Sequence, residues 1–278
     1  MGRAQKKTPW EKEWELLVKK EQKYLEQRDR KKESALNRFL EEKIPETLQG
    51  RLDAAFSKAF GLIFDKGLGI IEKTYRKEEL KKAYQVDIYA ASVREDRRSL
   101  RRFSRKAGTS GQKNLLLSGV EGIGLGVLGI GLPDIPLFTG MILKSIYELA
   151  LHYGFSYETE EDRYFILLLI RGALSYGKQL SEIQEETDRF LSLETLPDGY
   201  DRECEIRKTA QALSGELLYM KFLQGIPLVG AAGGIYDAVY LKRILAYGRL
   251  KYQKRFLLKH KDGISRKEWD REDGQRGE

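Results

Sequence analysis

The chain has a single cysteine, Cys204, and only two histidines, His152 and His260, in 278 residues. One thiol cannot close an internal disulfide, and with two imidazoles it does not complete the usual zinc ligand set. This cysteine usage is that of a reducing compartment, so a cytoplasmic protein is expected. Six prolines are few for this length, which lets helices run unbroken. The positive charges of residues 1–7 have no apolar segment after them, so no secretory signal is expected. The myristoylation pattern fails too, because Lys6 stands where Ser or Thr is required. No nucleophile–base pair or metal cluster is legible in the order of residues. The chain is therefore expected not to be an enzyme and to need no cofactor.

Charge is abundant instead. Fifty Lys and Arg against 42 Asp and Glu leave a net charge of +8, which favours polyanionic surfaces. Those are nucleic acid and anionic lipid. No nucleic-acid-binding module is recognisable, so lipid is the better fit. No small-molecule substrate is evident.

Residues 9–43 read as one long polar helix with a thin apolar stripe of Trp10, Trp14, Leu17, Tyr24 and Leu25. Its middle, Gln27–Ser34, is nearly all charged, which predicts a solvated arm that Pro45 ends. Glu46–Phe64 is amphipathic, with Leu52, Ala55, Phe56, Ala59, Phe60 and Ile63 on one face. Gly61, Gly67 and Gly69 loosen the next junction, and a further helix is expected over Ile70–Tyr84. Then comes the most basic stretch, with Arg94, Arg97, Arg98, Arg101, Arg102, Arg105 and Lys106 inside thirteen residues. It reads as a solvated helix face, a lipid-headgroup site or a phosphate-backbone site, and its place just before the glycine-rich apolar element favours lipid.

Gly119–Leu151 follows, and the chain is organised around it. Six glycines precede Pro133-Asp134-Ile135-Pro136, and from Gly122 to Leu143 the only charge is Asp134. Gly122 and Gly126 form a GxxxG pair, which lets another helix approach closely. Gly124–Gly129 also matches the dinucleotide fingerprint. That match is set aside, because no β-strand precedes it and the Pro-Asp-Ile-Pro break interrupts the helix that should follow. Each half of the apolar run spans only about 15–20 Å, too short for a bilayer. Asp134 suits an N-cap and Gly154 a C-terminal stop. Between them Lys144, Glu148 and His152 make one polar stripe on an otherwise apolar helix.

Thr159 has the capping pattern for a helix carrying Tyr164–Ile170, the expected core element. Gln184–Glu205 reads as loop or short helix, with Pro197-Asp198-Gly199 a turn. Phe222–Leu241 is a second glycine-rich apolar element. Its Ile226-Pro-Leu and Ile235-Tyr236-Asp237 parallel Ile135-Pro-Leu and Ile146-Tyr147-Glu148, and both helices are expected to end in Tyr-Gly, at Tyr153-Gly154 and Tyr247-Gly248. Either an internal duplication or shared composition accounts for this. If the units pair, Gly122 and Gly126 meet Gly230 and Gly234, and each helix carries one acid, Glu148 or Asp237. The basic run over 242–261 precedes a polar tail that reads as disordered.

Gly131-Leu-Pro-Asp-Ile-Pro-Leu-Phe-Thr-Gly140, Tyr147-Glu-Leu-Ala150, Tyr164–Ile170 and Ile226–Gly234 together resemble the bacterial EcsC family, over roughly residues 46–255. The family takes its name from a gene beside an ABC-transporter gene pair. The resemblance thus implies a membrane-linked setting, with a transporter or another protein as partner, and it supplies no catalytic residues. The expected architecture is all-α: a multi-helix bundle with two glycine-rich apolar hairpins and a long N-terminal helix. Its divisions are a charged arm (1–45), an EcsC-like helical domain (46–255) and a polar tail (256–278). The expected function is non-catalytic attachment to the inner face of the cell membrane, with the basic segments 94–106 and 242–261 meeting anionic headgroups. A soluble helical adaptor, and an enzyme on lipid or peptide using Asp134, Glu148 and Asp237, are the other readings.

Overall fold

The computed structural model describes residues 7–29, 44, 46–94, 97–102, 134–223 and 234–261. Among them the regular structure is entirely helical. The helices are α1 (Pro9–Asp29), α2 (Glu46–Leu62), α3 (Leu68–Glu72), α4 (Lys77–Arg94), α5 (Asp134–His152), α6 (Glu160–Leu174), α7 (Gly177–Leu193), α8 (Arg202–Leu223) and α9 (Gly234–Lys259). A short helical turn at 97–102 follows α4. The expected all-α bundle is what is found. The glycine-rich stretches 119–133 and 224–233 lie outside the described residues, as do 30–43 and the tail from 262.

Helix α6 is the spine. Thr159 Oγ1 accepts from Asp162 N at 3.2 Å, and Glu160, Glu161 and Asp162 place acids where the helix dipole favours them. Every residue from Tyr164 to Tyr176 is buried. A helix apolar all round needs neighbours on every side. A closed ring of contacts passes through α6: α6 to α9, α9 to α5, α5 to α2, α2 to α8 and α8 back to α6. Helix α7 covers α6 from outside, and α4 lies on α5.

Gly154 stops α5 as expected. Its φ is +75°, a conformation that favours glycine, and a Cβ there would lie 2.1 Å from the Tyr84 ring. Of the three junction glycines, Gly67 closes a π-helical turn, Ile63–Gly67, while Gly61 lies in α2 and Gly69 in α3. The helix expected over Ile70–Tyr84 is instead interrupted at residues 73–76. Tyr157 bridges this break, donating to Glu72 Oε1 at 2.7 Å while its own hydroxyl accepts from Tyr75.

Three expectations need correction. Gln184–Glu205 is not mainly loop: α7 runs to Leu193 with Leu180, Ile183, Thr187, Phe190 and Leu191 turned inward. The irregular part is only 194–201, around the Pro197–Gly199 turn. Gly248 does not end α9, because it admits Leu149 of α5, whose Cδ2 would sit 3.1 Å from a Cβ there. Nor is α1 merely solvated. Leu17, Glu13, Glu21 and Arg28 are buried, and Trp10 Nε1 donates to Leu257 O at 2.8 Å.

Candidate functional site

Helix α4 sets up the surface with most chemical character. Tyr84, Asp87, Ile88 and Ala91 form its buried side. Its outer side carries Val86, Tyr89 and Val93 at i, i+3 and i+7, exposed by 65, 42 and 61 %. The other large hydrophobics exposed among the described residues, Val18, Leu193 and Val239, stand on three separate helices. Scattered single residues of that kind are ordinary; a continuous stripe is not.

At the end of this stripe begins the basic stretch, and the structure sorts its arginines. Arg97 and Arg101, one turn apart, both reach Glu13 on α1, with Nε–Oε1 distances of 2.5 and 2.9 Å. The Glu13 side chain is 4 % exposed, so the arginines satisfy a buried carboxylate. Arg94, Arg98 and Arg102 are exposed. Two of the five described cations therefore tether α1, though Arg101 stays 47 % exposed, and the other three form a basic surface. Arg105 and Lys106 lie outside the described residues.

The basic run over 242–261 divides likewise. Lys251 is fully buried, and its ammonium donates to Glu21 at 2.6 Å and Asp188 at 3.1 Å. Burial pulls its pKa down while the two carboxylates work the other way. Lys254 shares the same two acids. Arg255 pairs with Asp162 and Glu194 and lies 4.3 Å from the Phe155 ring centre. These cations hold α1, α7 and α9 together and are not available to headgroups. Sequence spacing could not have found them, since Glu21 and Lys251 are 230 residues apart.

The candidate acids fare differently. Glu148 is buried on α5, and burial pushes its carboxyl up, with the Lys144 charge opposing. Its Oε1 has no hydrogen-bond partner, while Lys144 Nζ donates to Thr74 O at 3.1 Å. Helix α5 begins at Asp134, the residue expected to cap it, and Asp237 lies in the first turn of α9. The side chains of both fall outside what is described. Of the packing glycines, Gly234 opens α9, and Gly122, Gly126 and Gly230 lie outside the described residues. The described close approaches use other glycines, with Gly172 against Tyr247 and Gly248 against Leu149. No group of three or more His, Cys, Asp or Glu suited to a metal occurs among the described residues.

No described helix is long and apolar enough to cross a membrane. Neither a curated protein nor a solved structure matches the chain. A family model, described as the EcsC protein family, matches residues 11–257. That span takes in most of α1, which lies outside the motif resemblance, and agrees with the way α1 is built into the bundle. The chain belongs to the EcsC family.

Proposed function

We propose that this protein is a non-catalytic peripheral protein of an anionic membrane surface at the inner face of the cell membrane. A membrane transporter or another protein bound there is the partner that the family setting suggests. One observation carries the reading: the exposed stripe Val86, Tyr89, Val93 is followed in the chain by the exposed arginines 94, 98 and 102. An apolar stripe beside cationic side chains is how a surface helix lies in a lipid interface. Each arginine near an anionic surface contributes ~1 kcal/mol, so three give roughly a hundredfold in affinity. That is reversible attachment, sensitive to salt. The Glu13 tether fixes which arginines face outward.

Cosedimentation with vesicles tests this. The protein should pellet with phosphatidylglycerol vesicles, weakly with phosphatidylcholine vesicles, and less as salt rises. Changing Arg94, Arg98 and Arg102 together to glutamine should abolish pelleting while leaving the Glu13 pairs, and hence the melting temperature, intact. Equal binding to neutral vesicles, indifferent to salt and to the substitutions, would refute the electrostatic attachment.

A further inference from the structure

Helices α1 and α9 run antiparallel: Tyr24 meets Tyr247, Glu21 pairs with Lys251 and Lys254, and Trp10 Nε1 donates to Leu257 O. The end of α9 therefore lies beside the first turn of α1. Glu13, three residues on from Trp10, binds Arg97 and Arg101. Arg98 and Arg102 stand on the same short turn as that pair. The chain thus leaves α9 close to exposed arginines.

Arg94, Arg98 and Arg102 form no ion pair with an acid among the described residues. Like charges gathered on one surface attract an anion. Residues 262–278 follow α9 and carry six acids against four cations, in a chain whose net charge is +8. Four of the acids fall in Glu268-Trp269-Asp270-Arg271-Glu272-Asp273, with a tryptophan among them. Carboxylates pair with guanidinium groups, and an indole ring is the best aromatic face for one. Fully extended, residues 262–270 span up to about 30 Å. That is comparable with the path from Lys261 through Leu257, Trp10 and Glu13 to Arg101.

We propose that residues 268–273 dock on the basic surface of Arg94, Arg98 and Arg102 in the same chain, with Trp269 against the guanidinium groups. Tethering keeps the segment at millimolar effective concentration, so contacts that are weak in isolation suffice. The consequence for attachment rests on the membrane reading above: segment and anionic lipid compete for one set of arginines. Away from a membrane the segment covers them, and a densely anionic surface displaces it.

The test uses the full chain in Cys204→Ser form, with a bimane label on Val93→Cys, whose emission a nearby tryptophan quenches. Without lipid, Trp269→Phe should brighten the label. So should raised salt, and so should neutralising the segment with Glu268→Gln, Asp270→Asn, Glu272→Gln and Asp273→Asn together. Trp10 and Trp14 are unchanged throughout, so the difference reports Trp269. The neutralised chain should also bind phosphatidylglycerol vesicles roughly tenfold more tightly, the factor for a surface otherwise open one-tenth of the time. A label equally bright in parent, Trp269→Phe and neutralised chains would overturn the docking, whatever the vesicles do. Quenching that fades on dilution would assign the segment to a second copy and overturn it too. Equal vesicle affinity of quenched parent and neutralised chain would overturn the competition. Quenching by Trp269 in a chain that binds no vesicles would support the docking and refute the membrane reading alone.

Discussion

Arg101 Nε donates to the buried Glu13 carboxylate at 2.9 Å across 88 residues of chain, and Arg97 donates to the same oxygen. This contact joins the N-terminal helix to the basic stretch and divides its five described cations into two that pair with Glu13 and three that do not. The division has a stability consequence. Arg97→Gln with Arg101→Gln strands a buried carboxylate, a loss of 3–5 kcal/mol for fully buried pairs. Here the arginines are 37 and 47 % exposed, so about 1–3 kcal/mol is expected. Urea melts of the double variant, and of a triple variant adding Glu13→Gln, check it. The triple variant should recover part of the loss; no recovery would mean that Glu13 does not depend on these arginines.

The two close glycine contacts predict different failures. Gly154→Ala combines a positive φ with a 2.1 Å clash against Tyr84, and should cost on the order of 2–4 kcal/mol. Adding Tyr84→Ala removes the clash and leaves the backbone strain, so it cannot restore the parent stability. Gly172→Ala clashes with the Tyr247 ring at 2.5 Å without any backbone penalty, and should cost roughly 1–3 kcal/mol. Thermal melts of the three variants distinguish strain from overpacking.

Acid should loosen the end of α9. Burial holds the His260 pKa down, to about 4, with the Lys259 charge adding to the effect. The unfolded imidazole titrates near its ordinary value of ~6.5, so below that pH the unfolded state binds the proton first. Stability therefore falls as pH drops from about 6.5 to about 4, by on the order of 3 kcal/mol in all. His260→Gln should flatten that slope in urea melts at stepped pH. Any further loss at lower pH belongs to carboxylates such as Glu21 and Asp188. Burial works against their ionisation, but the neighbouring Lys251 and Lys254 charges hold both below their usual range. A slope unchanged by His260→Gln would show that another group carries it.

What was legible in the sequence is what local pattern controls. The Thr159 cap, the Gly154 stop, the buried face of α2 and the apolar run Tyr164–Ile170 of α6 each follow from a few neighbouring residues. Long-range partners leave no such trace. Glu13, Glu21 and Lys251 look like solvent-exposed charges on polar helices, and only the fold brings them together. Helix α7 was hard to see for a related reason. Its inward residues are separated by runs such as Glu185-Glu186, and the Pro197 turn drew the boundary too early. Gly248 resembled a helix end because its neighbour pattern repeats that of Gly154. Its role is set by Leu149 across the helix pair, which spacing along the chain does not encode. On the candidate surface, the basic stretch was evident. The stripe Val86, Tyr89, Val93 is not legible in the sequence, because its solvent-facing side is defined by what Ile88 and Ala91 bury.

Contact between that stripe and lipid is the central claim, and fluorescence at one position tests it directly. Cys204→Ser frees the chain for a single label, and Val93→Cys then places an environment-sensitive nitrobenzoxadiazole probe in the stripe. Leu193→Cys on α7, exposed by 63 %, serves as the control site. With phosphatidylglycerol vesicles the label at 93 should shift its emission to the blue and brighten, the label at 193 should not, and phosphatidylcholine vesicles should change neither. An unshifted label at 93 in protein that nonetheless pellets with the vesicles, or equal shifts at 93 and 193, would contradict the account.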